Sequence, residues 1–187
     1  MKIITGTAKG KVLATLSGEA TRPTSERIKE AMFSSIQFDI EGRRVLDIFA
    51  GSGQLGLEAL SRGAESCMFV DSSREAMEVI KENIAKTGFG ACSKCLVSDA
   101  RNYVRKASGR SVFDLVFIDP PYALECSADI LRRLADGGML ADGAIAVLES
   151  GTEQIVTDML GDFELTKSKS YGKKTSLNIF VYRKPKE

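Results

Sequence analysis

An α/β fold built on one largely parallel sheet is the architecture this sequence predicts, on three observations. Short apolar strand signals alternate with helix-length periodic segments, as successive β-α units require. A glycine-rich turn, Gly51-Ser52-Gly53-Gln54-Leu55-Gly56, follows the first buried run and opens a helix. The last two strand signals, 164–170 and 176–183, are joined by a short loop, which makes them antiparallel neighbours.

Taken in order, 2–5 and 11–15 read as a small hairpin. Pro23-Thr24 then starts a helix over 25–37 with Ile28, Met32, Phe33 and Ile36 on one face. Strand 44–48, helix 54–61, strand 66–70 and helix 74–87 follow. Beyond a loop at 88–90 come strand 94–97, helix 100–107, strand 113–118 and helix 127–135. Strand 144–149, helix 152–159 and the closing pair complete the series. With 187 residues, 43% of them hydrophobic, the chain can bury one substantial core. No linker, repeat or low-complexity tract interrupts it, so a single domain over 1–187 is expected. In it, 1–40 form a hairpin-and-helix extension and 41–187 the core.

The glycine turn carries the first chemical signal. It follows Val45-Leu46-Asp47-Ile48-Phe49-Ala50, and Asp71 stands 20 residues after Gly51, the spacing of a ribose-binding acid in a dinucleotide fold. The pattern alone therefore supports NAD. Asp47 argues otherwise: an acid at the strand end, facing the loop, repels a pyrophosphate but favours a cationic ligand. S-adenosylmethionine fits, because it carries a sulfonium and an amino group, keeps a ribose for Asp71 and has no phosphate. A purely structural glycine turn would explain the glycines but not the acid before them.

Asp119-Pro120-Pro121-Tyr122 is the second signal, placed directly after the apolar run 112–118. A planar exocyclic amine is a poor nucleophile, since its lone pair is delocalised into the base or amide that carries it. If the Asp119 carboxylate and the Pro120 carbonyl accept its two N–H bonds, the nitrogen is held with its lone pair turned outward while Tyr122 stacks on the ring. Pro121 has no N–H to compete and fixes φ, which stiffens the loop. The plainer alternative is a strand-to-helix turn, because Asp-Pro is common turn chemistry.

Asp47 to Arg62 (DIFAGSGQLGLEALSR) together with DPPY resembles the class I S-adenosylmethionine-dependent methyltransferases that modify amines. Arg22-Pro23-Thr24 with Arg27, Glu30 and Phe33, and the late Tyr171-Gly172-Lys173-Lys174-Thr175, narrow the resemblance to the RsmD family, which methylates the N2 amine of a guanine in bacterial 16S ribosomal RNA. The match runs from Gly6 to about Tyr182. DPPY is shared by many amine methyltransferases, whereas the RPT segment joined to the long glycine motif is more particular. Lys9-Gly10-Lys11 stands where the family often has Arg-Gly-Arg, which keeps the charge but loses forked phosphate contacts.

The resemblance implies a Rossmann-like seven-stranded mixed sheet in the order 3-2-1-4-5-7-6, with its last strand antiparallel and ligands at the carboxyl ends of strands 1 and 4. It implies that Asp47, with Phe49, Ala50, Gly51, Ser52 and Gly53, orders the loop and the methionine amino group. Asp71 with Ser72 takes the ribose, and Asp99 with Ala100 meets the adenine amine. Arg22 and Thr24 then bind the methionine carboxylate, or merely cap the first helix. Asp119, Pro120, Pro121 and Tyr122 form the catalytic loop. The implied partner is 16S ribosomal RNA within the small subunit or its assembly intermediate, met by a monomer.

Charge is divided along the chain. Residues 1–30 hold six basic side chains against three acidic, 164–187 seven against two, and the middle is net acidic. Lys9, Lys11, Arg22, Arg27, Lys173 and Lys174 would make a phosphate-binding rim if the two ends meet near the active face; solubilising termini are the alternative. No histidine is present, which excludes His-based triads, His metal ligands and zinc deaminase chemistry, and no metal is expected. Cys92 and Cys95 form a single C-x-x-C without a second pair, so reduced structural thiols and a cytoplasmic location are expected, with neither leader nor membrane span. Rival readings are a methyltransferase acting on DNA adenine N6 or a protein glutamine, an NAD-dependent oxidoreductase, and a non-catalytic RNA-binding module.

Overall fold

The computed structural model describes residues 1–16, 23–120, 124–150, 161–171 and 175–185; the helix expected over 152–159 lies outside them. The strands are β1 (Arg44–Ile48), β2 (Ser66–Asp71), β3 (Ser93–Val97), β4 (Phe113–Ile118), β5 (Leu140–Ser150), β6 (Phe163–Tyr171) and β7 (Thr175–Tyr182). They form one sheet in the order β3-β2-β1-β4-β5-β7-β6. β7 runs antiparallel to both neighbours and the remaining pairs are parallel. This is the expected order.

Both faces of the central strands are covered, which is why these strands read as continuous apolar runs instead of alternating ones. Val45, Leu115, Phe117, Ile145 and Val147 face one core, together with α1 (Pro23–Ser35), α2 (Gln54–Ser61) and α3 (Arg74–Thr87). Leu46, Ile48, Val116, Ile118 and Leu148 face the other, under α4 (Ala100–Ala107) and α5 (Leu124–Asp136). The chain changes faces between β1 and β4, so their carboxyl ends make the switch point where open α/β sheets leave a crevice.

Boundaries shift where local chemistry overrides the pattern. β5 begins at Leu140, before the expected 144, because its pairing with β4 slips between Phe113 and Leu115 and Gly143 (φ 75°) absorbs the bulge. Gly88 (φ 86°) ends α3 in the left-handed conformation, and a 3₁₀ turn over Gly90–Cys92 replaces the expected loop. The amino-terminal hairpin reduces to one antiparallel bridge, Lys2 to Val12.

That amino-terminal segment is fastened to the core by a buried ion. Glu58 on α2 is fully buried and accepts the Ile4 and Thr5 N–H groups at 2.8 and 3.0 Å. It pairs as well with Lys29 of α1 at 3.1 Å and with Arg62 at 2.9 Å. Ser61 accepts from the Ala8 N–H and donates to the Thr5 carbonyl. Gly6 (φ +87°) lies so close that an added Cβ would stand 1.7 Å from the Ser61 carbonyl oxygen, so the segment lies flat on α2 only with glycine there.

Candidate active site

The glycine loop is shaped by backbone geometry and two acids. Gly51 and Gly53 have φ of 54° and 76°, and Phe49 holds φ 67°, a conformation that costs a non-glycine residue about 1–3 kcal/mol. N–H bonds from Phe49 and Ala50 to the Val70 carbonyl, at 3.0 and 3.1 Å, hold the loop in that shape. Gly56 serves packing: a Cβ there would meet the Phe69 ring at 2.4 Å and the Cys67 sulfur at 2.6 Å, so α2 can lie against β2 only without one.

Asp47, 2% exposed, sits on the α2 side of the sheet and accepts the Gly56 N–H at 2.9 Å. Burial raises its carboxyl to about 7; the Gly56 bond opposes that rise and the charge of Asp71 adds to it. One bond leaves most of a carboxylate's acceptor capacity unused. A cationic group in the crevice would therefore stabilise the ionised form. Asp71 accepts the Gly51 N–H at 2.9 Å with one oxygen and the Ser73 N–H at 2.8 Å with the other, so it braces the loop from the end of β2.

A cleft of about 330 Å³ opens over these groups. Its wall includes Asp47, Phe49, Ala50, Gly51, Ser52, Asp71 and Ser72, and also Asp119 and Pro120. The structure thus joins the two motifs, 72 residues apart in sequence, in one cavity. It adds Leu16, Gln54, Leu55, Ser73 and Ala76, which sequence reasoning missed. Leu16 gets there through fully buried Asn83 of α3, whose amide exchanges two hydrogen bonds with the Ala14 backbone and donates to the Ser52 carbonyl at 2.9 Å. Nothing local marks Asn83, because its partners are 69 and 31 residues away.

Other expected residues fall elsewhere. Asp99 is exposed and caps α4 by accepting the Asn102 N–H at 3.1 Å, while Ala100 is buried in the second core; neither lines the cleft. Gly53 supports the loop without lining the cleft. Lys9, Lys11 and Arg27 are exposed, and the Lys11 ammonium donates to the Lys86 and Thr87 carbonyls at the end of α3. Arg22, Pro121, Tyr122, Lys173, Lys174 and the Thr24 side chain lie outside the described residues. Cys67, Cys92 and Cys95 are free thiols, and among the described residues no cluster of three or more carboxylates or thiols could hold a metal. No described helix is long and apolar enough to cross a membrane.

The arrangement matches known proteins over nearly its whole length. Residues 1–180 match the family model described as "Conserved hypothetical protein 95". A Bacillus subtilis protein named "Putative rRNA methyltransferase YlbH" is 34% identical over 98% of this chain and 99% of its own. "Ribosomal RNA small subunit methyltransferase D" of Escherichia coli is 31% identical over 92% of this chain and 85% of its own. The solved Escherichia coli structure described as "Putative methyltransferase yhhF" superposes with a TM-score of 0.86 at 29% identity, over 99% of each chain. The chain belongs to the conserved hypothetical protein 95 family, a family of methyltransferases.

Proposed function

We propose that this enzyme methylates the exocyclic N2 amine of a guanine in 16S ribosomal RNA of the small subunit. The observation that carries the reading is that one cleft is lined by Asp47, Asp71 and the glycine loop together with Asp119 and Pro120. A cationic donor and an amine acceptor would meet across it. The likeness to small-subunit RNA methyltransferases supports RNA over DNA or protein as substrate.

When bound, S-adenosylmethionine supplies an electrophilic methyl group on a sulfonium sulfur. Asp47 and the loop of Phe49 to Gly53 would hold its amino-acid end, Asp71 and Ser72 its ribose, and Asp99 with Ala100 its adenine; Arg22 and Thr24 would take its carboxylate. Gly51 and Gly53 bring the backbone close to it. Asp119 and the Pro120 carbonyl would accept the two amine N–H bonds of the guanine, Tyr122 would stack on its ring, and Pro121 would keep the loop stiff. The surplus proton is lost from nitrogen beside Asp119, which need not be a strong base. Positioning and charge placement supply most of the acceleration.

Two outcomes check the donor side. Asp71→Ala should weaken S-adenosylmethionine and its homocysteine product alike by about 1–3 kcal/mol, the cost of a lost buried hydrogen-bonding partner; an unchanged dissociation constant would move the ribose elsewhere. Donor affinity should also rise as the pH climbs through about 7, because a cationic ligand favours ionised Asp47 and protonation below that value removes the attraction. Calorimetry on wild type and Asp47→Asn tests this. Equal pH slopes in the two proteins would dissociate Asp47 from the ligand.

The basic rim gives a third. Lys9, Lys11, Arg22, Arg27, Lys173 and Lys174 would hold phosphates around the target base. Lys173→Ala with Lys174→Ala should lower the salt slope of RNA binding by about one for each phosphate no longer neutralised, with donor binding intact. An unchanged slope would reject the rim. The reaction itself is tested by supplying labelled S-adenosylmethionine and unmethylated small subunits. Label recovered as N2-methylguanosine supports the reading; label on an adenine, on protein or nowhere overturns it.

A further inference from the structure

The donor cleft is walled from the carboxyl ends of β1, β2 and β4, and among the described residues none of β5 lines it. In the sheet β4 stands between β1 and β5, so Asp119 has the donor pocket on one side and the end of β5 on the other. A base that reaches Asp119 without entering the donor pocket approaches from the β5 side. The residue waiting there is Glu149.

Register and alternation fix its position. Ile118 pairs with Leu148, which makes Glu149 the β5 residue beside Asp119. Phe117 and Val147 face the α1–α2 core while Ile118 and Leu148 face the other, so by alternation Glu149 stands on the same face as Phe117 and Asp47. On its other flank Glu149 pairs with fully buried Leu177 of β7. Glu149 is partly buried in this setting, and burial raises its carboxyl above the usual range.

The Watson–Crick edge of guanine presents the N1–H donor next to the N2 amine. Adenine and cytosine present an acceptor nitrogen next to theirs. We propose that Glu149 selects guanine by accepting the base N1–H while Asp119 and the Pro120 carbonyl hold the amine. A carboxylate there satisfies the guanine edge and faces a lone pair on the ring nitrogen of adenine or cytosine, so it rejects those bases as well as binding the right one. The proposal rests on the guanine-N2 reading above and names the residue that gives that reading its base specificity.

The test compares small subunits reconstituted with guanine or with 2-aminopurine at the target position. 2-Aminopurine keeps the amine but has an acceptor at N1. Glu149→Ala should lower transfer to guanine by about 10- to 100-fold, the worth of one hydrogen bond to a charged group, and raise transfer to 2-aminopurine, whose N1 lone pair the carboxylate repels. Glu149→Gln, close in shape to the native side chain, keeps a carbonyl acceptor for the guanine N1–H and can turn its amide N–H to the 2-aminopurine N1, so it should lower transfer to guanine less than Glu149→Ala and raise transfer to 2-aminopurine more. S-adenosylmethionine affinity should stay at the wild-type value in both. A ratio that ignores both substitutions, including one in which both substrates fall equally, overturns the role of Glu149 and leaves the guanine reading standing. A wild-type enzyme that labels no guanine overturns both.

Discussion

Asp119→Ala should lower methyl transfer by about 10²-fold or more while S-adenosylmethionine binds almost as before. Asp119 borders the donor cleft, but the groups assigned to the donor are others, at Asp47, Asp71 and the glycine loop. What the substitution removes is an acceptor that matters when the amine nitrogen turns its lone pair to the methyl. Asp119→Asn keeps a carbonyl acceptor but loses the negative charge that stabilises the positive charge developing on the amine nitrogen, so its loss should fall between wild type and alanine. Single-turnover rates with donor affinity measured in parallel separate the two effects. Wild-type turnover by Asp119→Ala would end the proposed role. An equal loss of donor affinity would place Asp119 on the donor instead.

The second large effect concerns stability. Glu58→Ala should cost about 3–5 kcal/mol, because it leaves the Lys29 ammonium buried without its carboxylate. It also strands the Ile4 and Thr5 N–H groups. Against a typical total of about 5–15 kcal/mol, that is a large share. Burial already lowers the Lys29 pKa while Glu58 raises it again, so the cation depends on this partner. Glu58→Leu with Lys29→Met should recover part of the loss, since the buried Lys29 charge goes with the acid; Arg62 and the two backbone N–H groups still lose their acceptor. Urea midpoints on the three proteins decide it. A shift below about 0.5 kcal/mol for Glu58→Ala, the range of an ordinary surface substitution, would mean that the pair contributes little.

The consequence reaches the active site. Loss of Glu58 loosens the segment that Asn83 presses against the glycine loop, and Leu16 at its end lines the donor cleft. Donor affinity should therefore fall in Glu58→Ala even where the protein remains folded.

How much of this was legible in the sequence follows from the range of each signal. β1, α2, α3, α4 and β4 have the expected bounds to within a residue, because their apolar runs end at glycines, at Asp99 or at Asp119. The cleft was legible in outline, since Asp47, Asp71 and Asp119 each close a parallel strand and the sheet order brings those ends together. Asn83 and Glu58 were not, because a polar residue within a helix reads as solvated, and their backbone partners are 31 to 69 residues away. Asp99 is assigned to the adenine by resemblance alone; it stands after β3, the edge strand, where it caps α4. β5 starts early because a bulge breaks the periodicity that marks a strand.

The central claim, that this enzyme places a methyl on a guanine N2 of small-subunit RNA, is tested most directly in cells. N2-methylguanine is mapped by mass spectrometry in 16S RNA from a strain lacking the gene, and from the same strain carrying the wild-type gene or Asp119→Ala. One N2-methylguanine should be absent from the deletion strain, return with the wild-type gene and stay absent with Asp119→Ala. An identical set of N2-methylguanines in all three strains would contradict the claim.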